Sequence, residues 1–227
     1  MKKTNGRANI HTKLKTQSSK LIGTNPLSKG EETRIKILEE AASLASICGL
    51  EDMSIGQLAK ATGLSKSGLF AHFNSKENLQ TQVVQWVARM FTEQVMKPAF
   101  SEPRGVPRIR AIFENWKNWI EGDSLPGGCI MIASSTEFSD KPGAVRDEIV
   151  RMMKELLQSL TRTARIAVDE GHFSPDIDPR QFAFEFESLL HGYHLLQRLL
   201  KDPAARERSD LAFERLLKAY MAEPESQ

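Results

Sequence analysis

Apolar positions recur along this chain at three- and four-residue intervals, and no strand-like alternation persists. The expected fold class is therefore all-α. Ile35, Leu38, Ala42 and Ala45 form one buried stripe, which predicts a first helix opened by a Ser28/Glu31 capping box and ended by Gly49. A second capping box, Ser54 with Gln57, opens a short second helix, and Ser65 and Ser75 are N-caps for a third and a fourth. The fourth is long, with Leu79, Val83, Trp86, Val87 and Met90 on one face, and stops near Pro98. Pro98, Pro103, Gly105 and Pro107 then crowd into a connection. A fifth helix from about Pro107 to Glu121 presents Ile109, Ile112, Phe113, Trp116, Trp119 and Ile120 as a wide apolar surface. The loop from Asp123 to Gly128 leads into a short helix, roughly Cys129 to Glu137, and Pro142 and Gly143 mark another break. A long helix follows from about Ala144 to Glu170, ended by Gly171. Asp178 before Pro179 opens a helix reaching about Leu200, because proline suits the first helical position. Pro203 separates it from a last helix, about Ala205 to Ala222. The count is nine.

Residues 54–73 read as two short helices joined by a tight turn. Ala59, Gly63 and Leu69 hold the relative positions i, i+4 and i+10 of a helix-turn-helix. The small Ala59 lets the helices approach, Gly63 takes positive φ without steric cost, and Leu69 fills the wedge between them. Such a unit lays its second helix in the DNA major groove, so DNA binding is expected.

At 227 residues the chain exceeds what one reading module requires. The expected division is a basic arm over residues 1–29, a helix-turn-helix domain over 30–78 and a second domain over 79–227. Net charge is only +2, but before Gly30 there are Lys2, Lys3, Arg7, Lys13, Lys15, Lys20 and Lys29 and no acids. Rich in Ser, Thr and Asn, that segment cannot bury enough apolar surface to fold alone. It reads either as a solvated tail or as an arm lying along phosphates. No apolar run approaches the roughly 20 residues of a membrane span, and the N-terminus lacks the apolar core of a signal peptide, so a cytoplasmic location is expected. Cys48 and Cys129 are too few and too far apart for a disulfide framework or a zinc site, and neither metal nor cofactor is expected.

The string Ile37-Leu38-Glu39-Glu40-Ala41-Ala42, then Gly49, then 54–73, then Ser75-Lys76-Glu77-Asn78-Leu79, resembles the N-terminal domain of the tetracycline-repressor (TetR) family of bacterial transcription regulators. The likeness covers about residues 33–80; the remaining helices resemble that family in number, length and order. Residues 127–138 resemble a segment of one branch of the family and bring no ligand with them. The resemblance implies a homodimer that binds operator DNA and releases it when a small molecule enters the C-terminal domain. Two departures stand out. Phe70 replaces a tyrosine whose hydroxyl commonly meets a phosphate in the family, so that contact is lost or passes to a neighbour such as His72. Ala45 replaces a common phenylalanine, so helix 1 is expected to pack with smaller side chains.

On the third helix Leu69 and Phe73 should face the core, leaving Lys66, Ser67, Gly68 and Phe70 outward near the N-cap Ser65, the end that approaches base edges. Lys66 can donate to guanine O6 and N7, and Ser67 can serve base or phosphate. Gly68 weakens a helix by about 1 kcal/mol relative to Ala, which suggests either close backbone approach to DNA or tolerance on a short helix. Phosphate contacts are expected from Ser54 and the exposed N–H groups of helix 2, from His72, from Lys76 and from Arg34.

Aromatic residues concentrate in the second domain. The resemblance implies a cavity for an apolar or aromatic effector, with Trp86, Met90, Phe91, Trp116, Trp119, Cys129, Phe138 and Tyr193 as candidate lining. Each is also a plausible core residue. No acidic or basic cluster is read at helical spacing on an otherwise apolar face. His191 and His194 lie at i and i+3, but nothing completes a metal site there, which points to interface or core. Cys129 follows a Gly-Gly pair at a helix N-terminus, a setting either for a reactive thiol or for an inert buried one. The last two helices carry more apolar surface than their own core needs: Phe182, Phe184, Phe186, Leu189, Leu190, Leu195, Leu196 and Leu199, then Leu211, Phe213, Leu216, Leu217 and Tyr220. Pairing them across a two-fold axis gives a four-helix dimer interface. Two other readings stay open. One is a DNA-bound regulator controlled by a protein partner. The other is an enzyme using Cys129 with His191 or His194, which lacks an oriented third group and leaves the helix-turn-helix unexplained. No enzymatic activity is expected.

Overall fold

A computed structural model describes residues 28–122 and 125–222. The expected basic arm, apart from Ser28 and Lys29, lies outside the described residues, as do Asp123 and Ser124 of the loop before the sixth helix. Among the described residues there are nine principal helices and no strand, only an isolated bridge between Phe173 and Met221. They are α1 (Lys29–Cys48), α2 (Ile55–Thr62), α3 (Lys66–Phe73), α4 (Lys76–Phe91), α5 (Val106–Glu121), α6 (Ile130–Glu137), α7 (Ala144–Asp169), α8 (Pro179–His194) and α9 (Ala205–Tyr220). After α4 the chain runs through a π turn, Thr92–Met96, into a last helical turn, Lys97–Ala99; α8 likewise ends in a π turn, Leu195–Leu199.

Five of the helix starts follow from local side-chain hydrogen bonding. Ser28 Oγ accepts from the Glu31 amide, and the Glu31 carboxylate accepts from the Ser28 hydroxyl at 2.7 Å and the Ser28 amide at 2.8 Å, two bonds that hold the carboxyl below its ordinary range. Ser54 and Gln57 repeat this reciprocal pairing at 3.1 and 3.0 Å. Ser65 accepts from the Gly68 amide, Ser75 from that of Asn78, and Asp178 from that of Arg180. A cap of this kind contributes about 1 kcal/mol. Gly49 (φ +92°) ends α1, and Gly63 (φ +72°) makes the left-handed turn between α2 and α3.

The buried stripe of α1 differs from the sequence expectation. Ile35 is only half-buried, whereas Ile37 and Ala41 join Leu38, Ala42 and Ala45 inside. The cause is tertiary: α1 packs against α2, α4 and α6, so its interior face is wider than one stripe. Its buried alanines keep it slim where three helices crowd it.

The helices gather into two compact units. The first lies within Met1–Phe91 and Gly122–Val150, the second within Thr92–Glu121 and Arg151–Gln227. This division differs from the boundary at 78/79. α4 buries Leu79, Val83, Trp86, Val87 and Met90 and packs along α1, which draws it into the first unit, and α6 packs on α1 and α4 in turn. The second unit has an aromatic core. The Phe113 and Phe213 rings stack at 3.9 Å, Phe186 meets Phe113 edge-on at 5.6 Å, and Phe173, Phe182 and Tyr220 form an adjoining cluster. No helix among the described residues is long and apolar enough to cross a membrane.

Candidate nucleic-acid interface

The first unit holds the helix-turn-helix, α2 and α3, together with α1 and α4. Leu69 and Phe73 are buried and anchor α3, while Ser65, Lys66, Ser67 and Phe70 are exposed and Gly68 and His72 partly so. Phe70 stands 45% exposed, too open to be a core residue. The Ser65 hydroxyl both caps Gly68 and lies 3.0 Å from that of Ser67. A Cβ on Gly68 would sit 3.3 Å from the Ser65 oxygen, so the glycine has a structural use: it leaves room for its own cap. A Cβ on Gly56, at the start of α2, would lie 3.7 Å from the Lys66 side chain and 3.9 Å from the oxygen of the exposed cap Ser54.

Two of the expected phosphate contacts are already committed within the protein. Arg34 lies over the Phe73 ring at 5.3 Å and donates to Gln82 Oε1 at 2.5 Å, joining α1 to α3 and α4. Lys76 Nζ donates to the Glu51 carbonyl at 2.5 Å. Both side chains remain exposed.

The turn between α1 and α2 is held by residues that the sequence did not single out. The Glu137 carboxylate, at the end of α6, accepts from the Leu50 and Glu51 amides, each at 2.9 Å. Gln80 Nε2 donates to the Leu50 carbonyl at 2.8 Å. The Gly127 amide donates to Ser46 Oγ, and a Cβ on Gly127 would fall 1.5 Å from the Ser46 carbonyl oxygen, so backbone lies directly on backbone there. No local pattern announces contacts between residues more than eighty positions apart; only a carboxylate at the end of a predicted helix was visible.

The candidate effector residues divide between the units. Trp86, Met90, Phe91, Cys129 and Phe138 belong to the first, Trp116, Trp119 and Tyr193 to the second, and all are buried. Cys129 precedes α6 and is 0% exposed, closed to a solvent-borne reagent. The second unit corrects the expectation that no charged cluster recurs on an apolar face. Glu114, Lys117 and Glu121 share one side of α5, and Lys117 is only 1% exposed. Its ammonium pairs with Glu114 at 2.9 Å and with Asp210, and Arg206 bridges Glu114 and Glu121, which also accepts from the Tyr193 hydroxyl. Burial raises the Glu114 carboxyl, but Lys117 and Arg206 outweigh it and hold the pKa below its ordinary range. The cluster was missed because Lys117 sits between Trp116 and Asn118, where a lysine reads as solvated. Beside it opens a polar cleft of about 600 Å³ lined by Glu121, Gln197, Arg198, Lys201, Asp202 and Arg206.

The surplus on the last two helices also sorts itself out. Phe182, Phe186, Leu190, Phe213, Leu216, Leu217 and Tyr220 are core, Leu189 and Leu196 half-buried, and Phe184, Leu195, Leu199 and Leu211 exposed. Among the described residues no group of three or more His, Cys, Asp or Glu is placed to hold a metal ion.

Comparison with known proteins agrees with this architecture. The family described as "Bacterial regulatory proteins, tetR family" matches residues 37–83, and "Tetracyclin repressor-like, C-terminal domain" matches residues 105–213. The HTH-type transcriptional regulator SrpR of Pseudomonas putida is 22% identical over 173 residues, 73% of this chain and 75% of that protein. A TetR transcriptional regulator from Chloroflexus aurantiacus superposes with a TM-score of 0.77 at 23% identity, over 86% of this chain and 100% of that one. AibR, solved in complex with isovaleryl coenzyme A and operator DNA, does so with a TM-score of 0.63 at 22% identity, over 83% and 98%. At such identities the solved structures establish the fold, and the two family matches together span well over half of the sequence. A helix-turn-helix with an open reading helix, followed by the family's own C-terminal domain, places this chain in the TetR family of DNA-binding transcriptional regulators.

Proposed function

We propose that this chain is a homodimeric operator-binding repressor released from DNA by a small molecule with an apolar body. The observation that carries the reading is the open face of α3, where Lys66, Ser67 and Phe70 stand in solvent while Leu69 and Phe73 fix the helix to the core. Lys66 serves as base reader, and Ser54, Ser67, His72 and Lys76 as phosphate contacts, Lys76 through ammonium donors that the Glu51 carbonyl leaves free. Phe70 has no hydroxyl for a phosphate and offers apolar contact instead, of the kind a thymine methyl accepts.

Two recognition helices about 34–36 Å apart are needed to engage both half-sites, so a dimer is required. The exposed Phe184, Leu195, Leu199 and Leu211 support pairing through α8 and α9. The buried aromatics favour an effector with an apolar body, and the Lys117–Glu114–Arg206–Glu121 cluster supports a polar end on it. The AibR complex, which holds an acyl coenzyme A and operator DNA together, supports small-molecule control in this fold.

The test begins with DNA fragments selected by the purified protein. Lys66→Ala should cost about 1–3 kcal/mol and relax preference at one or two base pairs. Lys76→Ala should weaken all sequences alike and lower the salt slope by about one unit. A screen of apolar compounds should yield some that release the selected DNA, and these should bind the free dimer more tightly by the same factor that they weaken DNA binding. Unchanged affinity in both lysine variants overturns the assignment of α3, and compounds that bind tightly without affecting DNA affinity overturn the release mechanism.

A further inference from the structure

We infer that Glu137 is a positioning residue for DNA reading: its carboxylate holds the turn that leads into α2, so that α6 fixes the attitude of the helix-turn-helix. The inference rests on α2 and α3 being the reading unit, and its geometry lies within the first compact unit.

The turn is gripped from two sides. Glu137 Oε2 and Oε1 accept from the consecutive Leu50 and Glu51 amides at 2.9 Å each. On the other side the carbonyls of the same two residues accept from Gln80 at 2.8 Å and Lys76 at 2.5 Å. Lys141, just past α6, pairs with the Glu51 carboxylate at 3.2 Å. Gly49 is shaped to this arrangement: a Cβ there would stand 2.8 Å from Glu137 Oε1, and its φ of +92° turns the following amides toward the carboxylate. Ser54, the cap of α2, follows only three residues after Glu51, so the direction of the turn is the direction in which α2 starts.

A carboxylate here does not serve α1. The C-terminus of a helix carries partial negative charge, and an anion beside it is repelled. What offsets the repulsion is a pair of charge-assisted hydrogen bonds to two adjacent N–H groups, a fork that fixes orientation as well as position. Leu50 is fully buried, so its amide needs such a partner. A shift of α6 by about an ångström would take both bonds out of range. The reading head is thus steered, through the turn that leads into it, by a residue that follows that turn in sequence by more than eighty positions.

The full-length protein tests this by amide hydrogen exchange and operator affinity on the wild type, Glu137→Ala and Glu137→Gln, with Lys66→Ala as control. In Glu137→Ala the Leu50 and Glu51 amides should exchange at least tenfold faster while protection in α5 and α9 is unchanged. Operator affinity should fall about tenfold or more at an unchanged dimer state. Losing a negative charge alone would strengthen binding to a polyanion, so a fall carries the positioning role. Glu137→Gln keeps one acceptor oxygen and should fall between the two, including if the alanine variant folds poorly. Faster amides with unchanged operator affinity overturn the inference, as do unchanged amides or a loss of protection spread evenly over α5 and α9. A Lys66→Ala variant with full affinity beside a weakened Glu137→Ala keeps the role of Glu137 and removes Lys66 as the base reader.

Discussion

At Lys117 an ammonium group is withdrawn from water and lies 5.1 Å from the centre of the Phe113 ring, against Glu114 and Asp210. Taking such a charge out of water costs several kcal/mol, and only partners on both sides offset it. His194 shows the opposite outcome. It is half-buried on α8, its Nε2 has no hydrogen-bond partner, and burial, with Arg198 and His191 adding repulsion, lowers its pKa to about 4. An unfolded histidine titrates near 6.5, so between about pH 6.5 and 4 the unfolded chain takes up a proton that the folded one refuses. Stability should therefore fall as pH drops through that window, by about 1–2 kcal/mol after allowance for solvent screening. His194→Gln should remove that part of the pH dependence, read as the difference between the two proteins' denaturation midpoints near pH 7 and near pH 4.5. Equal slopes would show that the ring is charged in the fold. The surroundings of Lys117 were not legible in the sequence, because they depend on what α9 brings alongside; for His194 the sequence pointed to interface or core, but not to an imidazole without a partner.

The helices themselves were legible. Ser28, Ser54, Ser65, Ser75 and Asp178 signal their helix starts through groups two or three residues away, and the structure uses each as a cap. What propensity and periodicity did not carry was the docking of one helix on another. Ile35 was assigned to the buried stripe and Ile37 was not, because α1 has three neighbours rather than one. Gly127 looked like a loop glycine, yet its bare Cα permits the segment before α6 to lie on the Ser46 backbone. Gly127→Ala should cost about 2–4 kcal/mol, since the clash is with backbone that cannot swing aside. Gly56→Ala, whose new methyl would meet only ordinary contacts at 3.7 Å, should be neutral or stabilising by a few tenths of a kcal/mol. Urea titration of the two variants without DNA compares them; equal midpoints would mean that the α6 segment does not press on α1.

For the whole molecule, the sequence placed the helix-turn-helix and a C-terminal helical domain, but not which apolar side chains close the core and which stay outside. Leu199 is 73% exposed and Leu211 is 53% exposed, whereas Leu216 is buried. Aspartate at Leu199 or Leu211 should therefore leave the protomer folded and separate the dimer, with loss of operator binding. Leu216→Asp should instead unfold the protomer, because an unpaired buried charge is costly. Light scattering beside circular dichroism distinguishes these outcomes, and intact dimers in both surface variants would move the interface away from α8 and α9. The three tryptophans add a practical consequence. Trp86 is buried in the first unit with the Arg89 guanidinium 5.4 Å from its ring, and Trp116 and Trp119 are buried in the second. The protein thus carries intrinsic optical reporters in separate compartments. A variant keeping only Trp86, set against one lacking only Trp86, would let the emission of one chain time events in the first unit and events in the second on separate clocks, with no dye attached.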